Sequence, residues 1–129
     1  MSEEQRTKSQ TILIIEPDSQ SREELYNFLL SAGYQNVSAT DKLSSARDRI
    51  VQSAYEIIVA DAGSPRAGEF QMAPELAQLN PGLKIILMIK AEDQQAWNLI
   101  AAQMGDVRFL IRTTFAQNLL YLLDEPAQP

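Results

Sequence analysis

The chain has 129 residues, a single-domain length, and its 45% apolar and 22% charged residues are ordinary globular values that argue against disorder. A globule this size buries roughly two-thirds of its unfolded surface without a disulfide or a metal. With neither histidine nor cysteine, imidazole bases, thiolate nucleophiles and Cys-type zinc sites are excluded, and a net charge of −6 argues against a nucleic-acid surface.

The polar start, MSEEQRTKSQ, lacks the apolar stretch of a signal peptide, and residues 1–10 are expected to form a flexible segment. Ile12 to Ile15 then reads as a first strand. Leu25, Phe28, Leu29 and Ala32 fall at helical spacing, with Ser21 and Glu24 as a capping box and Gly33 placed to end the helix. Asn36 to Ala39 is a weaker strand, and Leu43, Ala46 and Ile50 form a second helical stripe. Ile57 to Ala60 is a third strand. A helix over Phe70 to Leu79 is interrupted or started by Pro74, and Asn80-Pro81-Gly82 marks a turn. Ile85 to Ile89 is a fourth strand, too short an apolar run to cross a bilayer, so a cytoplasmic location without a membrane partner is expected. Trp97, Ile100, Ala101 and Met104 form the next stripe. Arg108 to Ile111 is a weak fifth strand, and Phe115, Leu119, Leu122 and Leu123 close the pattern before a tail or linker at 124–129.

The main strands are continuously apolar rather than alternating, as strands covered on both faces are. With helices between them, they predict an α/β, doubly wound open sheet of five parallel strands with five helices, taken here in the flavodoxin-like order 2-1-3-4-5. In such a sheet the switch point lies beyond the carboxyl ends of the first and third strands. Glu16 and Asp18 follow the first strand and Asp61 follows the third, so three carboxylates are expected in one crevice. Such a cluster repels itself unless a cation or a proton intervenes, which suggests an oxygen-liganded metal or a raised pKa. The bland alternative is helix capping. It is equally persuasive for Asp18, and less so for Asp61, which a Gly-Ser-Pro turn follows.

From Thr11 to Leu123 the chain resembles the receiver domain of two-component response regulators. Ile12 to Asp18 with Arg22 and Leu25 resembles the family's first strand and acidic turn, and Ala32-Gly33-Tyr34 the end of its first helix. Tyr55 to Asp61 with Pro65 resembles the phosphoacceptor strand and loop. Asn80-Pro81-Gly82-Leu83 leads into the fourth strand, and Gly105 with Phe109 to Arg112 resembles the fifth.

The resemblance implies that Asp61 accepts a phosphoryl group from a histidine kinase or a phosphotransfer protein. It implies magnesium held by Glu16, Asp18, Asp61 and the Gly63 backbone carbonyl, with Arg112 contacting phosphate in the lysine position. Such a domain is not an enzyme beyond its own phosphoryl transfer. The pocket departs from the pattern in several places. Pro17 replaces the second acid of a pair, so magnesium binding is expected to be weak or absent. Ile89 stands where the family has a hydroxyl, and Phe109 holds the aromatic switch position opposite it. Arg112 keeps charge but changes donor geometry, and Thr113 and Thr114 stand where a proline is usual. Leu99, Leu120 and Tyr121 fall off the core stripes of the last two helices. The face of the fourth helix, fifth strand and fifth helix is therefore expected to meet an effector or a second copy of the chain.

Three functions compete. The first is a phosphoacceptor receiver with impaired switching. The second is a pseudo-receiver, the same fold used for protein interaction without phosphate. A flavin-binding flavodoxin is excluded, because Glu16-Pro17-Asp18 puts acid where its phosphate would sit.

Overall fold

A computed structural model of the chain describes residues 8–53, 55–63, 65, 80, 82–101 and 107–124. Five parallel strands, β1 (Thr11–Ile15), β2 (Asn36–Thr40), β3 (Ile57–Asp61), β4 (Lys84–Ile89) and β5 (Val107–Ile111), form one sheet in the order β2-β1-β3-β4-β5. Four α-helices stand among the described residues: α1 (Ser19–Ser31), α2 (Leu43–Gln52), α3 (Gln94–Ala101) and α4 (Phe115–Asp124). The helix expected over Phe70 to Leu79, with Met104 and Gly105, lies outside the described residues. The helices expected fourth and fifth are therefore α3 and α4.

Alternate strand residues feed two cores. On one face Leu13, Ile15, Ile58, Ala60, Ile85, Leu87 and Ile89 pack with Leu43, Ala46 and Ile50 of α2 and Trp97 of α3. On the other, Ile12, Ile14, Ile57, Val59, Ile86, Met88 and Leu110 pack with Leu25 and Leu29 of α1 and Leu119 and Leu123 of α4. Each fully buried aliphatic side chain contributes about 1.5–3 kcal/mol, which explains why the inner strands tolerate almost no polar residue. Lys84 is an exception, buried at the start of β4 with its ammonium donating to the carbonyls of Leu122 (2.9 Å) and Leu123 (3.2 Å). A positive charge there also offsets the negative end of the α4 dipole.

The end of α1 is built as its sequence predicts. Tyr34 N–H donates to Leu29 O and Gly33 N–H to Leu30 O, with Gly33 at φ +101°, a backbone region that costs a side-chain-bearing residue strain. The start differs. Asp18, not Ser21, is the N-cap, and its carboxylate accepts from Ser21 N–H at 2.8 Å. Ser21 and Glu24 lie inside the helix, because a carboxylate one turn earlier can cap the free N–H groups as well as a serine. Leu120 is a second correction, since it is partly buried against the α1/α4 core rather than exposed. At the chain's start, Gln35 N–H bonds Lys8 O and the Asn36 side chain bonds Ser9 O (2.8 Å). These contacts tie Lys8 and Ser9 to the α1–β2 turn.

Candidate functional site

Strand register brings the acids together. Ile15 pairs with Ala60, so the next residues, Glu16 and Asp61, stand side by side at the carboxyl edge of the sheet. Ile89 pairs with Ile111, which places Lys90 and Arg112 next to each other one step beyond β4 and β5. Arg112 is two strands from Asp61 and three from Glu16, steps of about 4.8 Å each. Only a long side chain crosses that gap.

Arg112 makes the crossing. Its Nη1 donates to Asp61 Oδ1 at 2.6 Å and its Nη2 to Glu16 Oε1 at 2.5 Å. The Glu16 side chain is 2% exposed, Asp61 22% and Arg112 29%. Burial works against the charged guanidinium, but its bonds to Glu16 and Asp61 outweigh that penalty and raise its pKa. Glu16 Oε2 accepts from Asp18 N–H at 3.2 Å, so both of its carboxylate oxygens have donors. Arg22 holds the loop from outside, with Nη1 donating to Glu16 O at 2.8 Å. Asp18 is fully occupied in another way: the Ser21 backbone and side chain hold its carboxyl below the ordinary carboxylate value.

These groups line an open cleft of about 770 Å³, with Pro17 and Gly63 on the sheet side and Lys90, Glu92 and Asp93 beyond β4. Glu92 and Asp93 were missed by the sequence reading. Their signal was an acidic pair directly after the fourth strand, in the turn Ala91–Asp93 that leads into α3.

The donor set does not suit the family's magnesium as arranged. A guanidinium lies between the two carboxylates that would have to converge on the ion, and Asp18, which lines the same cleft, is engaged as the N-cap of α1. Among the described residues, no three acidic side chains are grouped to hold a metal. The crevice does bring Glu16 and Asp61 together as expected, but the cation between them is a side chain.

The remaining predicted positions lie on the other side of β4. Ile89 is 1% exposed within the α2/α3 core, and Phe109 and Ile111 pack against that core. Trp97 and Phe109 are ring neighbours, with centroids 6.2 Å apart and planes at 39°. The buried Trp97 indole N–H meets no acceptor among the described residues. Farther out, Leu99 and Tyr121 are 77% and 71% exposed, as their off-stripe positions predict. No helix among the described residues is long and apolar enough to cross a membrane.

No curated protein sequence matches the chain. Among solved structures, it is similar to a two-component transcriptional regulator AraC from Clostridium phytofermentans, at TM-score 0.73 and 18% identity, covering 90% of this chain and 91% of that one. It is similar to a response regulator receiver domain protein from Clostridium thermocellum, at TM-score 0.71 and 19% identity, covering 89% and 91%. A putative pilus assembly-related protein from Burkholderia pseudomallei matches at TM-score 0.65 and 22% identity, with 95% of each chain covered. At these identities the structural likenesses establish the fold. The family model of the response regulator receiver domain matches residues 12–123, and the chain belongs to that family of two-component signalling domains.

Proposed function

We propose that this chain works as a receiver-fold interaction module whose output does not depend on phosphoryl transfer. The observation that carries the reading is Ile89, 1% exposed and packed in the same core as Trp97. A phosphoryl group shifts a conformational equilibrium only through contacts that differ between two states. Residue 89 packs in the α2/α3 core instead of lining the Asp61 cleft, and an isoleucine side chain has neither donor nor acceptor with which to make such a contact. The partner is a protein, met through the α3, β5 and α4 face that carries Leu99 and Tyr121. An effector domain, or a second copy of the chain, fits that exposed apolar pair.

A second reading keeps Asp61 as the phosphoacceptor with impaired switching. It is favoured by the partial exposure of the Asp61 side chain at the cleft. In that case Asp61 forms a P–O bond as the donor's P–N bond breaks, and the kinase or phosphotransfer histidine leaves. Magnesium and a histidine kinase belong to this reading, and Arg112 then contacts the phosphoryl oxygens.

Incubation with a small acyl phosphate and magnesium, followed by intact mass measurement and hydrogen exchange, separates the two. The first reading expects no stoichiometric phosphate, or phosphate without altered exchange on α3, β5 and α4. Full uptake abolished by Asp61→Asn, with altered exchange on that face, would assign the second.

A further inference from the structure

We infer that Arg112 is the resident cation of this pocket and masks a divalent-cation site formed by Glu16 and Asp61, so that the charge centre is complete without a metal. Two carboxylates at neighbouring strand ends repel one another unless positive charge stands between them. The guanidinium supplies that charge with both of its terminal nitrogens, one to each acid, at 2.6 and 2.5 Å. Its planar fork suits this task in a way a lysine does not, because an ammonium is one point charge on one atom.

Glu16 makes the arrangement compulsory. A carboxylate that is 2% exposed has lost its water and needs donors, and it finds them in Arg112 and in the Asp18 backbone. The chain brings Arg112 here from 96 residues away, across the end of β4, and Arg22 fixes the carbonyl of the same glutamate. A divalent ion entering between the acids would have to displace the guanidinium into the cleft. Lys90, its neighbour at the sheet edge, lines the same cleft together with Asp18, Glu92 and Asp93. The inference concerns charge at the pocket and is independent of Ile89, so no phosphodonor is needed to test it.

The test is chemical denaturation and Trp97 fluorescence of the whole chain, titrated with magnesium against sodium chloride of matched ionic strength. The wild type is expected to show no saturable response. Arg112→Met, which keeps length and loses charge, is expected to be less stable without magnesium and to regain stability with it. Its apparent magnesium affinity should exceed the wild-type value by roughly tenfold or more, the effect of removing a unit charge within about 4–6 Å. Arg112→Lys should fall between the two. Saturable stabilisation of the wild type by magnesium would overturn the inference, as would a folded Arg112→Met with no gain in affinity. Should Arg112→Met fail to fold, NMR of the wild-type Arg112 side chain decides the matter. Slowly exchanging guanidinium protons that magnesium leaves unchanged support the inference, and their loss on adding magnesium overturns it.

Discussion

The ends of β1 and β3 and the ends of β4 and β5 lie on one sheet edge, yet they are built from opposite chemistry. At β1 and β3 stand Glu16 and Asp61, joined by Arg112 into a three-member charge centre. At β4 and β5 stand Ile89, Ile111 and Phe109, filled in by Trp97. The first region keeps the residue types of a receiver pocket and changes their cation. The second, where the resemblance puts the family's relay to the surface, is packed with apolar side chains. The difference teaches that one sheet edge can carry a charge centre and an apolar pack side by side, each assembled from residues far apart in the chain.

The largest effect that can break this contrast is at Trp97. Trp97→Ala should cost about 3–5 kcal/mol, because it opens a cavity between α3 and the sheet. Trp97→Phe is the sharper variant. It keeps most of the ring contact and removes an indole N–H that has no partner among the described residues, so its cost should stay below about 1.5 kcal/mol. Urea denaturation checks both. A costly Trp97→Phe would mean the N–H has a partner and the relay region is polar after all.

The charge centre comes next. Arg112→Gln should cost about 2–3 kcal/mol at neutral pH, less than a fully buried pair because the arginine is 29% exposed. Adding Glu16→Gln to that variant should recover part of the loss, since it removes the buried charge left without its counter-ion. A double-mutant cycle by urea denaturation measures the recovery, and strict additivity would show that the two residues are not coupled.

Ile89→Thr is expected to cost about 1–3 kcal/mol, the penalty for a hydroxyl placed in an apolar site without a partner. A neutral or stabilising substitution would reveal a waiting acceptor, and with it a relay still able to work.

The smallest effect is acid sensitivity. The Asp18 carboxyl is held below its ordinary 3.8, chiefly by its bond from the Ser21 backbone. A group with a lowered folded-state pKa contributes stability that is present above the unfolded value and lost as pH falls through the folded one. Stability should therefore decline as pH falls below about 4, and Asp18→Asn, which still caps α1, should flatten that part of the decline. Trp97→Phe should leave it unchanged, because no group of the relay region titrates there. Thermal melts across the acid range provide the comparison.

Much of this was legible beforehand, for reasons particular residues make clear. The runs at Ile12, Ile57 and Ile85 are apolar on both faces, as a covered parallel sheet needs, so the layering followed, and the switch point followed once the order 2-1-3-4-5 was taken. Asp61 and Glu16 were placed by the same topology. The partnership of Arg112 was not legible, because it joins residues 51 and 96 positions away and depends on a side chain reaching across a strand. The sequence suggested a cation among the acids, but not that the chain supplies it. Asp18 was ambiguous for a local reason: a carboxylate before a helix can cap or ligate, and only its bond to Ser21 decides. Leu120 was misread because α4 buries a wider stripe than Phe115, Leu119, Leu122 and Leu123 define.

The central claim is that the charge centre is disconnected from the α3, β5 and α4 face. NMR shifts near Phe109, Leu99 and Tyr121, recorded with and without a beryllofluoride mimic in magnesium, test it most directly in the wild type and in Ile89→Thr. The account predicts small shifts on that face in both proteins, because Arg112 stays between Glu16 and Asp61 and residue 89 packs in the α2/α3 core instead of lining the cleft. Large wild-type shifts at those three residues would contradict it, because they would show a phosphoryl-like group at Asp61 moving the surface through Ile89 as it stands.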